Sequence, residues 1–171
     1  MKKLNRKGYM TVEIIIASVI AFSIAFFLME ITFKLVDISD NEYVNTNFMT
    51  DKALIMKNIR ENIQNDIDEY EKVYKIECNN NICSIIFDRS GGPTESRRLI
   101  IDNQDDTIMI KYTENSDNGK VLYSKELSSG LSNVSLSGNM TDNHVYVYFQ
   151  IKGDNIFSNE TYDINIIVYN G

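Results

Sequence analysis

Sixteen consecutive residues without a charge, IIIASVIAFSIAFFLM from Ile14 to Met29, do most to limit what this chain can become. Extended by Tyr9 to Val12 before it and by the ITFKLV stretch after Glu30, the apolar body approaches the ~20 residues that carry a helix across a bilayer. On its N-terminal side only Glu13 interrupts it. Lys2, Lys3, Arg6 and Lys7 precede the run with no acid among them, which predicts a cytoplasmic N-terminus and an exported remainder. A cleavable secretory signal also begins with a basic segment and an apolar one. Its small-x-small cleavage sequence should follow the apolar run, however, whereas Ala21, Ser23 and Ala25 lie inside it and Glu30 to Val36 offers none.

Beyond the run the pattern changes. Val44, Phe48, Ile55, Ile59, Ile63 and Ile67 recur at spacings of four or seven with charged and amide residues between them. That is the stripe of an amphipathic helix laid on a core. No Gly or Pro occurs between Gly8 and Gly91, so nothing forces a break. Asp37, Ser39 and Asp40 either cap a fresh helix or sit on the exposed side of a continuous one running from about Tyr9 to about Tyr70.

After Tyr70 the period drops to two. Strands are expected at 73–77, 83–87, 97–101, 107–112, 120–127, 133–137, 144–152 and 161–169. Turn signals separate them at Gly91-Gly92-Pro93, Asn103 to Asp106, Asn115 to Gly119, Asn139 to Asn143 and Gly153 to Asn155. Val145, Val147, Phe149 and Ile151 should face the helix, with Tyr146, Tyr148 and Gln150 turned outward. Consecutive strands and short turns make the fold class α+β, a long N-terminal helix packed on an antiparallel sheet. The chain divides into a leader 1–8, a membrane-spanning segment 9–36, an amphipathic helix 37–70 and a β-rich head 71–171.

The formal net charge is −7, and setting aside the four leading basic residues leaves −7 − 4 = −11. So acidic a body does not support direct nucleic-acid binding, which needs clustered cations against phosphates. Cys78 and Cys83, with NNNI between them, are too few for a structural zinc site. They read either as two unconnected small apolar residues or as a disulfide, which requires an oxidising compartment. The disulfide is the preferred expectation, because a hairpin of the flanking VYKIE and SIIF runs would place them opposite each other. The acidic run Asp102-Asn103-Gln104-Asp105-Asp106 lacks calcium-loop spacing and reads as a solvated turn. His144 is the single histidine, with no serine or cysteine arrangement pointing to it. The sequons at Asn133, Asn139 and Asn159 are expected by chance in so Asn-rich a chain. No P-loop, dinucleotide fingerprint or metal motif appears, so neither a cofactor nor an enzymatic activity is expected.

RKGYMTVEIIIASVI carries the chemistry. A carboxylate at bilayer depth costs about 2.5–3.5 kcal/mol on insertion scales, so Glu13 calls for a partner. Cleavage after Gly8 would free the α-amino group of Tyr9, one helical turn before Glu13. Among parallel, staggered helices that carboxylate meets the amine of a neighbour, and the pair offsets its own desolvation only in register. Lys7-Gly8-Tyr9-Met10-Thr11-Val12-Glu13 followed by an apolar helix resembles the class III signal of type IV prepilins and of type II secretion and competence pseudopilins. The resemblance implies cutting by a prepilin peptidase between Gly8 and Tyr9, N-methylation of Tyr9, and Glu13 as the assembly carboxylate. It implies as partners other pilins or pseudopilins, the peptidase, an inner-membrane assembly platform and, before assembly, membrane lipid. The precursor would be a single-pass membrane protein with its head outside, later part of a surface filament.

Two departures stand out. Tyr9 occupies a place where Phe is commoner, and Glu30 stands where the family often carries a helix-bending Pro, which inclines the reading towards a minor subunit. Ala17, Ser18, Ala21, Ser23 and Ala25 are small enough for close helix approach in such a filament. The competing expectation is a single-span extracellular binding or sensor domain on an uncleaved signal anchor.

Overall fold

The computed structural model describes residues 6–88, 95–104, 107–115, 119–127, 130–141, 143–158 and 160–171, with the side chains of 6–9 and 104 outside the description. The turn signal Gly91-Gly92-Pro93, the sequon residue Asn159 and residues 1–5 of the expected leader fall outside it.

One helix, α1, runs from Arg6 to Tyr70, so Asp37, Ser39 and Asp40 do not cap a new one. It ends where Glu71 takes a φ of 79°, the left-handed turn that commonly closes a helix. Eight strands follow: β1 (Lys72–Asn79), β2 (Ile82–Asp88), β3 (Glu95–Gln104), β4 (Thr107–Glu114), β5 (Val121–Glu126), β6 (Leu131–Met140), β7 (Tyr146–Asn155) and β8 (Thr161–Tyr169). Each expected strand is present, and most are longer than the alternation suggested. Two begin later than expected: β5 is trimmed to Val121–Glu126 from 120–127, and β7 begins at Tyr146 rather than at His144, which adopts a φ of 54°.

The chain forms two compact units, Met1–Asp40 and Asn41–Gly171. In the first, every residue from Met10 to Asp40 is exposed, as an apolar helix without a partner must be. In the second, the rest of α1 lays its stripe on the strands. Val44, Phe48, Ile55, Ile59, Ile63 and Ile67 are all at most 4 % exposed and share one core with Phe87, Leu99, Ile110, Phe149 and Ile166. Burying such side chains contributes about 1.5–3 kcal/mol each. On β7, Val147, Phe149 and Ile151 point inward and Tyr146 outward, as the alternation required.

The strands divide into two antiparallel sheets rather than one, ordered β1-β2-β3-β4-β5 and β6-β7-β8. Hairpins link neighbours within each sheet, and the ladder breaks between β5 and β6. Asparagine side chains span the break. Asn81 donates from Nδ2 to the Val134 carbonyl at 3.2 Å and accepts from the Leu136 amide, also at 3.2 Å. Asn170 accepts from the Val73 amide at 2.6 Å and donates to the Val73 carbonyl at 3.0 Å. An amide side chain thus replaces a ladder rung, because it offers one acceptor and one donor group as a peptide does. Asn155 joins the helix in the same way, donating to Asn41 Oδ1 at 2.6 Å.

Cys78 and Cys83 are directly paired across β1 and β2 and form the expected disulfide. The two residues at the hairpin's tip, Asn80 and Asn81, take φ values of 47° and 64°. Positive φ at both central positions is the turn that suits the strand twist, and asparagine tolerates it better than most residues.

Candidate functional site

The first unit holds the residues on which the sequence motif rests. Gly8 and Tyr9 lie in the opening of α1, and their side chains are outside the described set. Glu13 stands four residues past Tyr9 on the same helix, one turn on.

Along the apolar part of α1, polar side chains find partners in their own helix. Ser18 Oγ donates to the carbonyls of Ile14 and Ile15, both at 2.9 Å, and Ser23 to that of Val19 at 2.9 Å. Thr32 does the same with Leu28 at 2.8 Å. Such back-bonding lets a hydroxyl enter hydrocarbon without an unsatisfied donor. Glu30 pairs with Lys34 at 2.7 Å, four residues on. Thr11 also has an interaction. Glu13 alone among these has no hydrogen bond or ion pair with the described residues.

That ordering affects how far the apolar stretch extends. Sixteen residues from Ile14 to Met29 reach only ~24 Å at ~1.5 Å each, less than the ~30 Å of hydrocarbon in a bilayer. With Glu30 and Lys34 neutralising each other, the apolar length continues towards Val36. The helix is long and apolar enough to cross a membrane, and none of its most apolar window is buried by the protein.

A second polar cluster lies inside the head, unannounced by any motif. Tyr112 donates to Asp66 Oδ2 at 2.6 Å, and Arg97 Nη2 stands 3.3 Å from Asp66 Oδ1. Arg97 Nη2 also donates to the Tyr70 hydroxyl at 3.0 Å, and its guanidinium lies 5.2 Å from the Tyr70 ring centroid. Burial holds the Asp66 carboxyl above the ordinary carboxylate range, against the pull of the Tyr112 hydroxyl and of Arg97. Burial, then the Asp66 charge, pushes the Tyr112 phenol far above its usual value, so it stays a donor. The side chains of Asp66 and Arg97 are each 10 % exposed, so the cluster has no open face for a substrate. Its chemistry is that of a lock between the helix, β3 and β4.

This cluster was detectable in principle. Asp66 sits three residues from Ile63 within the buried stripe, and Arg97 shares the inward parity of Leu99 and Ile101. A charge at an inward position of two separate patterns is the signal that the two meet.

Other candidates resolve plainly. Asp102 is paired with Lys111 at 2.6 Å, while Asp105 and Asp106 lie outside the described residues. Among the described residues no group of three His, Cys, Asp or Glu converges as metal ligands would. His144 contributes its carbonyl, which accepts from Asn170 Nδ2 at 2.8 Å. Tyr146 and Tyr169 pack edge to face across β7 and β8 with ring centroids 5.8 Å apart. Compared with known proteins, the chain matches no family model, no curated protein and no solved structure.

Proposed function

We propose that this protein is a non-enzymatic structural subunit, of the minor kind, in a type IV pilus-like or competence- or secretion-type pseudopilus filament. Its precursor waits in the membrane as a single span, with residues 1–8 in the cytoplasm and the head outside. A prepilin peptidase cuts between Gly8 and Tyr9 and methylates Tyr9. The helix then leaves lipid for the filament core, where Glu13 meets the freed amine of a neighbouring subunit.

The observation that carries this reading is the isolation of Glu13. The span's serines, Thr32 and Glu30 are satisfied within their own helix, whereas Glu13 has no partner among the described residues. A lone carboxylate beside the head of an apolar helix finds its counter-charge in another molecule or bears the insertion penalty. The Cys78–Cys83 bond supports a head outside the cytoplasm, since such bonds persist in oxidising compartments.

Intact-mass measurement of the membrane-extracted protein tests the processing. The reading requires loss of the first eight residues and gain of one methyl group; a retained leader favours the uncleaved anchor and overturns it. Glu13→Gln tests the assembly step. Processing should be unchanged while incorporation into sheared surface filaments falls at least about tenfold, and undiminished filament yield would defeat the charge-pairing mechanism.

A further inference from the structure

The two sheets have four edge strands, and three of them are guarded. β1 carries an irregularity between Val73 and Lys75 and bonds to Asn170. β5 is six residues long and carries Lys125 and Glu126. β6 is bulged between Ser132 and Ser135, and the Asn81 side chain occupies its Val134 carbonyl and Leu136 amide. Bulges, short length and charge are the usual means of stopping an edge from pairing with another chain.

β8 has neither a bulge nor a short length, and it carries a single charge. It pairs with β7 in an unbroken register from Tyr169 opposite Tyr146 to Thr161 opposite Asp154, and its single charged residue is Asp163. Two bonds fix the direction of its backbone groups. Asn170 donates its amide to the Val145 carbonyl at 2.8 Å, and Asn155 donates to the Glu160 carbonyl at 3.0 Å. Both belong to the same alternation, so Tyr162, Ile164, Ile166 and Val168 bond towards β7. Thr161, Asp163, Asn165, Ile167 and Tyr169 therefore turn their amides and carbonyls to the open edge.

Beside that edge runs a groove of about 410 Å³ between β8 and the flank of α1, lined by Met56, Lys57, Arg60 and Glu61 on the helix side. Lys57 and Arg60 are exposed, and Lys57 lies 4.0 Å from Glu61. Arg60 has no ion pair among the described residues. In a chain of net charge −7, this wall holds two cations against one carboxylate.

We propose that the open edge of β8 is a strand-acceptor site, taking an extended segment of a partner protein whose acidic side chains face Lys57 and Arg60. Backbone hydrogen bonds supply the affinity and the cationic wall the selectivity, as in other strand-addition interfaces. The site lies wholly within the head and does not depend on the filament reading.

The test uses the full chain in neutral detergent micelles with the synthetic peptide acetyl-Thr-Glu-Thr-Val-Thr-Glu-Thr-Val-Thr-amide, which places Glu and Val on one face. Saturable binding is expected below about 1 mM, with slowed hydrogen exchange at the amides of Asp163, Asn165, Ile167 and Tyr169. Amides of Ile164 and Ile166 should already be slow without peptide. Arg60→Glu should weaken binding about tenfold, and a peptide with Lys for Glu should not bind. Ile167→Pro removes one outward amide and no ladder bond, so it should abolish binding without unfolding the head. No binding at that concentration, binding indifferent to Arg60→Glu, or protection elsewhere would overturn the proposal. Self-association of the chain that protects the same amides without peptide would also overturn it, since the occupant would then be a second copy.

Discussion

Replacing Arg97 by Met asks how much of the head's stability rests on one buried charge. Methionine keeps most of the apolar stem and removes the guanidinium, so packing changes little. The Asp66 carboxylate, 10 % exposed, is then left with the Tyr112 hydroxyl as its hydrogen-bond donor. Breaking a buried pair by removing one partner costs about 3–5 kcal/mol, and the lost contact with the Tyr70 ring adds about 0.5–1 kcal/mol. Arg97→Met should therefore lose about 4 kcal/mol at neutral pH, lowering the midpoint of thermal unfolding by roughly 10–20 °C.

The loss should depend on pH with a definite sign. Burial already raises the Asp66 pKa in the fold, and Arg97 opposes that rise. As pH climbs from about 4, the folded protein holds more proton on Asp66 than the unfolded chain does. Stability from this group accordingly falls across that interval and is level above it. Without Arg97 the folded pKa rises further, so the interval widens and the penalty grows with pH. Near pH 4 the deficit of Arg97→Met should shrink, because a protonated Asp66 needs no counter-charge. Adding Asp66→Asn should restore about 2 kcal/mol at neutral pH. Denaturant unfolding of the full chain in micelles, followed by near-ultraviolet circular dichroism of the tyrosines, measures all three. A neutral-pH loss below about 1 kcal/mol, or one that stays constant down to pH 4, would refute the argument.

Three further outcomes are expected in the same assay. Asn170→Ala should cost about 1–3 kcal/mol, because both the amide and the carbonyl of Val73 lose their partner. Gly130→Ala should destabilise the head by more than about 1 kcal/mol: its φ is 97°, and an added Cβ would lie 2.5 Å from Val44 Cγ2. Reducing the Cys78–Cys83 bond should remove about 2 kcal/mol, the entropy of so short a loop, and should leave the hairpin's register unchanged by hydrogen exchange.

Which parts of this molecule could be read from its sequence follows from the range of the interactions involved. The helical stripe from Val44 to Ile67 was legible residue by residue, because one face of a helix meeting a core imposes a period that needs no knowledge of the partner. Alternation gave the strands for the same reason. The division into two sheets was not legible. The break is bridged by Asn81 and Asn170, whose partners Val134 and Val73 lie 53 and 97 residues away. In an Asn-rich chain nothing marks those two asparagines out from the many that stay in solvent. The Asp66–Arg97 pair was half legible, each partner anomalous in its own pattern but unmatched until the fold joined them. At the candidate site, Glu13 was conspicuous at once as a charge against an apolar background, whereas the internal pairing of Glu30 with Lys34 needed a helical geometry to be seen.

The same contrast separates what this protein does for itself from what it leaves to others. Inside the head, several buried polar groups are met within the chain, by asparagine rungs between the sheets and by the Asp66–Arg97–Tyr112 cluster, while Arg97 Nε and Asp163 Oδ1 are buried without a partner among the described residues. Along the span, the serine and threonine hydroxyls return to their own carbonyls and Glu30 to Lys34. Among the described residues, the Glu13 carboxylate and the outward amides of β8 are two exposed groups that this economy leaves unmet. Water satisfies both while they are exposed, so neither costs anything in an isolated molecule in solution. The cost appears when a surface closes over them, and then only a partner with the matching charge or the matching strand restores the lost hydrogen bonds. Specificity arises from that penalty. An apolar helix alone would associate with any other, whereas under the proposed assembly one carrying Glu13 would be held to neighbours that present a cation at the right height along the axis.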